Sequence, residues 1–130
     1  MICLDSDVII DYLKGKQDAV DVIKKYAGEV ITTELNVFEV FHGIYLRNYS
    51  IEKEKEIADS FFNSLDVLPF DEGCGELGAK ITAELVKKGK LIEQNDCLIA
   101  AIILKSRFDK IITKNNKHFS RIRGLKVIGY

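Results

Sequence analysis

Short apolar segments alternate with longer segments of helical periodicity along this chain, and this alternation restricts its fold more than any other feature. Segments 1–4, 29–32, 110–113 and 126–128 are strand-like, and 67–70 is a fifth strand candidate, broken by Pro69. Strands that are separated by helices pair in parallel. The pattern therefore predicts an α/β domain with three α/β/α layers and a central, mainly parallel sheet of four or five strands.

Apolar residues at three- and four-residue spacing mark the helices between these strands. Helices are predicted from Asp7 up to a stop at Gly15, and over 18–26, 35–41, 52–64, 72–88 and 96–105. Thr33 and Asp71 are the predicted N-caps of the third and fifth helices. The helix at 96–105 is the most apolar and is expected to be buried on nearly all sides.

Length and composition predict one domain over residues 1–130, because 47% of the residues are hydrophobic and no linker-like segment divides the chain. No apolar run approaches the roughly 18 residues that a membrane span requires. Acidic residues interrupt the first segment, which is unlike a signal peptide, so we expect a cytoplasmic protein without membrane contact. Cys3, Cys74 and Cys97 lack zinc-site spacing and are expected to be reduced thiols.

Basic residues are concentrated near the C-terminal end of the chain. Segment 105–126 has eight basic residues and one acid, whereas the rest of the chain has 11 basic and 19 acidic residues. Such a segment could neutralise the phosphates of a nucleic acid backbone. A solvated charged surface is an equally good interpretation of this feature alone.

Acid and amide side chains follow the strands or begin the helices at several places. Asp5 and Asp7 follow the first strand, Asn115 follows the fourth, Glu39 lies on the third helix and Asp96 begins the most apolar helix. Ligands of parallel sheets bind at the carboxyl ends of the strands, so these side chains are expected to converge there. Clustered carboxylates must share protons or hold a divalent cation. We therefore predict a hard-cation site.

Four parts of the sequence together resemble the PIN-domain nucleases, and in particular their VapC-type toxin branch. They are Leu4-Asp5-Ser6-Asp7-Val8-Ile9-Ile10, the helical Glu39, the segment from Asn95 to Ala101, and the segment from Ile112 to Phe119. The resemblance covers nearly the whole chain. It implies a PIN-like fold and a metal-dependent endoribonuclease that uses Mg²⁺ or Mn²⁺ to hydrolyse RNA phosphodiester bonds.

The resemblance also assigns roles to individual residues. Asp5, Glu39 and Asp96 are the implied catalytic acids and metal ligands, with Asn115 as a further ligand. The implied supporting residues are Ser6, Asp7 and Thr113. Asn115 departs from the family because many members have an acid there, and an amide would hold a second ion more weakly. Asp7 stands where Asn is more usual, and a helix-capping role is favoured over compensation for the missing acid.

Partners follow from the same resemblance. It implies an RNA substrate, a small antitoxin protein and a homodimer, and the apolar face of Phe61, Phe62 and Leu65 is compatible with a protein partner. The residues expected to contact RNA are Lys114, Lys117, His118 and Arg121. A general-base role is the less favoured alternative for His118.

Two other functions stay open at the level of sequence. A PIN-like module with an impaired acidic set could bind RNA or a partner without cleaving RNA. A haloacid dehalogenase-like phosphatase is the remote alternative, because Asp5 and Asp7 follow an apolar strand as in that family's first motif. That family also requires a pair of acids after a late strand, and here Lys114, Asn115 and Asn116 occupy that place.

Overall fold

The computed structural model describes residues 1–130 and contains five parallel strands with helices on both faces. The elements are β1 Ile2–Leu4, α1 Ser6–Leu13, α2 Gln17–Lys25, β2 Val30–Thr33, α3 Glu34–Tyr45, α4 Glu52–Asn63, β3 Asp66–Leu68, α5 Cys74–Lys87, α6 Gln94–Lys105, β4 Lys110–Ile112, α7 Asn116–Phe119 and β5 Lys126–Ile128. The predicted three-layer α/β/α architecture is confirmed.

The strand order β3-β2-β1-β4-β5 places the first strand at the centre of the sheet. Cys3 pairs with Ile31 of β2 on one side and with Ile111 of β4 on the other. From β1 the chain moves outward through β2 and β3, and α5 and α6 then bring it back to β4 on the opposite side of β1. This reversal opens a crevice beyond the carboxyl ends of β1 and β4, where ligands bind in folds of this type.

Alternate strand residues supply two hydrophobic cores, one on each face of the sheet. Cys3, Ile31 and Ile111 pack with residues of α5 and α6, whereas Leu4 and Ile112 pack with residues of α1 to α4. Helix α6 is buried on nearly all sides, as predicted, and every residue from Ile99 to Ile103 is fully buried. The start of α6 is therefore fixed against both the sheet and its neighbouring helices.

Two local predictions require correction. Asp71 does not cap α5, because Gly73 is the N-cap, with a φ of +89°, and the helix begins at Cys74. The Asp71 carboxylate instead pairs with the Lys105 ammonium at 3.1 Å. Helix α7 was not predicted, since its four residues are too few to show helical periodicity.

The three cysteines are free thiols and all are buried, as expected from their number and spacing. Burial raises the pKa of the Cys3 thiol well above its usual value. None of the helices has the length and apolar character that a bilayer crossing requires.

We expect Ile99→Ala to destabilise the protein by about 3 kcal/mol, because it leaves a cavity where α6 packs on the sheet. Val86→Ala in α5 is the matched control, since Val86 is exposed and its truncation should change the free energy of unfolding by less than about 0.5 kcal/mol. Urea denaturation followed by circular dichroism measures both values. Equal losses in the two variants would contradict the core assignment.

Candidate active site

Asp5 lies at the centre of the crevice, directly after β1, and serves as the N-cap of α1. Its side chain is buried and bonded to several donors. Oδ1 accepts hydrogen bonds from the Ser6 backbone N–H at 2.8 Å and the Asn36 amide at 3.1 Å, and Oδ2 accepts one from the Thr113 hydroxyl at 2.7 Å. Residues from the start of α1, from α3 and from the end of β4 thus hold a single carboxylate.

Burial raises the pKa of Asp5 to about 7, and the negative charges of Asp7 and, to a smaller extent, Asp96 act in the same direction. The hydrogen bonds from Thr113 and Ser6 oppose this shift because they favour the ionised carboxylate. Asp5 therefore lies in an acidic environment that it shares with at least two other carboxylates.

Glu39 of α3 is joined to Asp5 through Ser6. The Ser6 hydroxyl donates to Glu39 Oε1 at 2.6 Å and accepts a hydrogen bond from the Asn36 amide at 3.0 Å. Partial burial raises the pKa of Glu39, the side chains of Ser6 and Asn95 lower it, and the charge of Asp96 raises it. The sequence-predicted Asp5, Ser6 and Glu39 are thus brought together in one network.

Asn36 is a site residue that sequence reasoning missed. It is completely buried, and one amide group reaches both Asp5 and Ser6. Thr33, the correctly predicted N-cap of α3, accepts the Asn36 backbone N–H and donates its hydroxyl to the Asn36 side-chain oxygen. A signal was present, since Asn36 lies on the same buried stripe of α3 as Val40 and Ile44. A polar residue on an apolar stripe indicates a buried partner.

Asp96, Asn115 and His118 form a second group of contacts at the same edge of the sheet. Asp96 Oδ2 lies 2.8 Å from His118 Nδ1 and 3.1 Å from the Asn115 amide nitrogen. Burial raises the pKa of Asp96, His118 lowers it, and the charges of Glu93 and Asp7 raise it. Asn115 is thus placed beside Asp96, as expected for residues of one site, but its amide nitrogen is the atom that faces the carboxylate.

Asp7 links α1 to the end of β4. Oδ1 accepts the Val8 backbone N–H at 2.7 Å, and Oδ2 accepts the Lys114 backbone N–H at 2.8 Å and lies 3.1 Å from the Thr113 hydroxyl. Asp5 rather than Asp7 occupies the N-cap position of α1, and the Asp7 carboxylate satisfies a free N–H from within the first turn, which agrees with the favoured capping role in function but not in position. Thr113, predicted as a supporting residue, contacts both carboxylates.

The four expected RNA contacts have different environments. Lys114 pairs with Asp11 at 2.7 Å and lies over the Tyr130 ring, and Arg121 donates to the carbonyl oxygens of Lys90 and Leu91. Hydrogen bonds from Lys114 and Tyr130 hold the pKa of Asp11 well below its usual range. Lys117 is exposed on α7. His118 faces Asp96, so intramolecular partners engage three of the four side chains.

Comparison with known proteins places this arrangement in a family. The model of the PIN domain family matches residues 2–125. The chain belongs to the PIN domain family. This membership is incompatible with the phosphatase alternative.

Related PIN domain proteins align over nearly the full chain. Ribonuclease VapC1 of Methanocaldococcus jannaschii is 30% identical over 128 residues, which cover 97% of this chain and 85% of that protein. The tRNA(fMet)-specific endonuclease VapC of Shigella flexneri is 26% identical over 124 residues, with 95% and 92% coverage. The fold is also that of the VapBC2 crystal structure from Rickettsia felis, with a TM-score of 0.88, 22% identity, and coverage of 100% and 99%.

The PIN domain family implies a divalent metal, and the donor chemistry of this site fits one. The acids offer hard oxygen ligands, and the charge of Asp96 raises the pKa values of both Asp5 and Glu39, so a cation would relieve this repulsion. As they stand, no three His, Cys, Asp or Glu side chains are close enough to hold one ion. Protein donors hold these oxygens instead: Ser6 bonds Glu39, and Thr113 bonds Asp5.

The metal-free PIN domain should lose stability as pH rises from about 4 to about 7. Asp5 is protonated in the folded state and ionised in the unfolded state in this range, because its pKa rises from 3.8 to about 7 on folding. The folded state then binds more protons, so its stability falls with pH. At about 1.4 kcal/mol per pKa unit the whole shift corresponds to about 4 kcal/mol, of which wild type should lose about 3 kcal/mol between pH 4 and pH 7 relative to Asp5→Asn.

Urea denaturation at several pH values, with a chelator present, measures this difference. Parallel pH profiles for wild type and Asp5→Asn would show that folding does not raise the pKa of the Asp5 carboxyl.

Proposed function

We propose that this PIN domain protein is a metal-dependent endoribonuclease, that Mg²⁺ or Mn²⁺ supports its hydrolysis of RNA phosphodiester bonds, and that it is the toxin of a toxin-antitoxin pair. The observation that carries the proposal is the convergence of Asp5, Glu39 and Asp96 on one crevice of the sheet. Each has a raised pKa, and Asp96 contributes a charge to the shifts of the other two. Perturbed acids in a crevice are typical of catalytic sites.

The named relatives support this activity. VapC1 of Methanocaldococcus jannaschii is described as a ribonuclease, and the Shigella flexneri relative as a tRNA(fMet)-specific endonuclease. Both alignments cover at least 95% of this chain, and the family model matches residues 2–125, which include the whole proposed site.

In the proposed site, Asp5, Glu39 and Asp96 would hold the divalent ion, with Asn115 beside them. When bound, such an ion polarises a phosphoryl oxygen and lowers the pKa of a water molecule. Thr113 and Asn36 fix the position of the Asp5 carboxylate, and Ser6 fixes that of Glu39. The exposed ammonium of Lys117, on α7 beside this edge, would attract the RNA backbone.

Substitution of the acids tests the proposed reaction. We expect Asp5→Asn, Glu39→Gln and Asp96→Asn each to lower the rate of RNA cleavage by about 100-fold or more, because each removes a charge that would hold the ion. The assay follows single-turnover cleavage of a panel of structured RNAs with Mg²⁺ or Mn²⁺. Glu76→Gln, in an exposed acid of α5, is the control and should cleave at the wild-type rate.

The acids would not be catalytic if all four variants cleaved RNA equally well. Thermal unfolding of each variant separates loss of activity from loss of fold.

A binding module without nuclease activity is the second candidate, and the amide at position 115 favours it. Asn115 adds no negative charge, and its amide nitrogen faces Asp96. If the native acidic set is impaired, Asn115→Asp should create or sharply raise Mn²⁺-dependent cleavage in the same assay. Cleavage by wild type that is abolished in Asp5→Asn would instead exclude the binding-only function.

The proposed protein partners require exposed apolar surface. The face of Phe61, Phe62 and Leu65 is less exposed than the sequence suggests, because Phe62 is buried and Phe61 packs on Tyr12. The structure exposes other side chains on and after α3 and on α4, namely Phe38, Tyr45, Leu46, Tyr49 and Ile57. Beside them, a cleft of about 370 Å³ between α1, α3 and α4 is lined mainly by apolar residues.

This surface supports the proposal of an antitoxin partner and of a homodimer. Several of the solved neighbours are named as complexes, including VapBC2 of Rickettsia felis bound to promoter DNA and a toxin-antitoxin complex of Klebsiella pneumoniae. Exposed apolar patches of this kind mark protein interfaces.

We expect the isolated chain to sediment as a dimer at micromolar concentration, since association would cover the exposed apolar side chains. Sedimentation velocity over a concentration series measures the association. Leu46→Lys should weaken the dimer if this surface is the interface, whereas Val86→Lys, at another exposed apolar residue, should leave it intact. A monomer at every concentration would contradict the dimer.

A further inference from the structure

The three side chains beside the start of α6 form a nearly equilateral triangle. His118 Nδ1 lies 2.8 Å from Asp96 Oδ2 and 2.8 Å from Asn115 Nδ2, and the remaining side, from Asn115 Nδ2 to Asp96 Oδ2, measures 3.1 Å. Asp96 lies on α6, His118 lies on α7, and Asn115 is the residue before α7. Phe119 anchors α7 because it is fully buried in the core.

With Asp96 ionised, as a metal ligand must be, hydrogen atoms alone do not satisfy this triangle. If His118 Nδ1 carries a proton, it donates to Asp96, but then two donors, Nδ1–H and the Asn115 amide, face each other. If Nδ1 carries no proton, it accepts from Asn115, but then two acceptors, Nδ1 and the Asp96 oxygen, face each other. Exchange of the Asn115 oxygen and nitrogen places two oxygens 3.1 Å apart instead. Every arrangement with an ionised Asp96 leaves one contact between like groups.

A divalent cation removes this conflict. If the Asn115 amide is turned, its oxygen takes the place of Nδ2 in the triangle. The triangle then presents three lone pairs, from the Asp96 carboxylate, the Asn115 oxygen and the unprotonated imidazole nitrogen. In an octahedral shell with ligands about 2.1 Å from the ion, neighbouring donors lie about 3 Å apart. The measured sides of 2.8, 2.8 and 3.1 Å match one face of such a shell.

We infer that His118 is a nitrogen ligand of the divalent cation, and that Asp96, Asn115 and His118 bind one face of its coordination shell. This inference rests on the proposed function, and it changes the assignment of His118 from an RNA contact to a metal ligand. The imidazole nitrogen gives the cation an additional ligand beside Asn115, which supplies no negative charge. Because imidazole suits later transition metals better than Mg²⁺, His118 biases the site toward ions such as Co²⁺ and Ni²⁺.

Electron spin-echo spectroscopy of the tag-free protein loaded with Mn²⁺ tests the ligand directly, without an activity assay. Wild type should show the modulation of a directly coordinated imidazole ¹⁴N, and His118→Gln should not. The chain has only two histidines, so His42→Gln, at an exposed residue of α3 that stacks on Phe38, is the matched control and should keep the modulation.

Wild-type protein labelled with ¹⁵N-histidine provides a second measurement that does not depend on a variant's folding. The modulation should move to the ¹⁵N frequency. Titration calorimetry extends the test to the choice of metal. His118→Gln should lower the affinity for Co²⁺ about tenfold and change the affinity for Mg²⁺ less than about threefold.

The possible failures are distinguishable. Bound Mn²⁺ without coordinated nitrogen, or modulation that survives in His118→Gln, would overturn the ligand inference and leave the proposed nuclease intact. Failure of wild type to bind Mn²⁺, Co²⁺ or Mg²⁺ at millimolar concentration would overturn both proposals.

Discussion

The arrangement of the acidic side chains in the crevice beyond β1 and β4 depends on the burial of one carboxylate, that of Asp5. An acid at this depth is costly unless donors surround it, and here the donors come from three separate parts of the chain: Ser6, Asn36 and Thr113. The same bonds that satisfy the carboxylate tie the exit of β1 to α3 and to the exit of β4. The position of the site is therefore a direct result of how the sheet and helices satisfy this group.

Much of the fold could be predicted from the sequence because its strongest signals are periodic. Helix α6, with its unbroken apolar run, and the β-branched strands permit few alternatives once strands and helices alternate. Asp71 and α7 were misjudged for local reasons. A capping acid and an ion-paired surface acid look alike in sequence, and a four-residue helix has no period to detect. Phe61 and Phe62 were misjudged because an apolar pair on a helix does not show which side is covered by its neighbours.

The candidate site was predictable in composition but not in its contacts. Asp5, Glu39 and Asp96 could be grouped because strand ends and helix starts converge in a parallel sheet. The apolar stripe of α3 marks Asn36 as a buried polar residue, but its partners and the direction in which His118 faces could not be derived, since both depend on how α3 and α7 pack against the acids. The sequence also does not show that Lys114, a basic residue beside the proposed RNA-binding site, already pairs with Asp11. Charge in a sequence indicates what a side chain can bind and not whether a neighbour already binds it.

The hydroxyl bond from Thr113 to Asp5 joins residues that are 108 positions apart in the chain. Contacts of such long range form late, since most of the polypeptide must be organised before they close. During synthesis, a nascent chain that has not yet produced β4 lacks both the strand beside β1 and the hydroxyl that bonds to Asp5. The crevice is therefore completed only after Thr113 has been translated and β4 has paired with β1, and products of translation interrupted before this point lack an assembled acidic site.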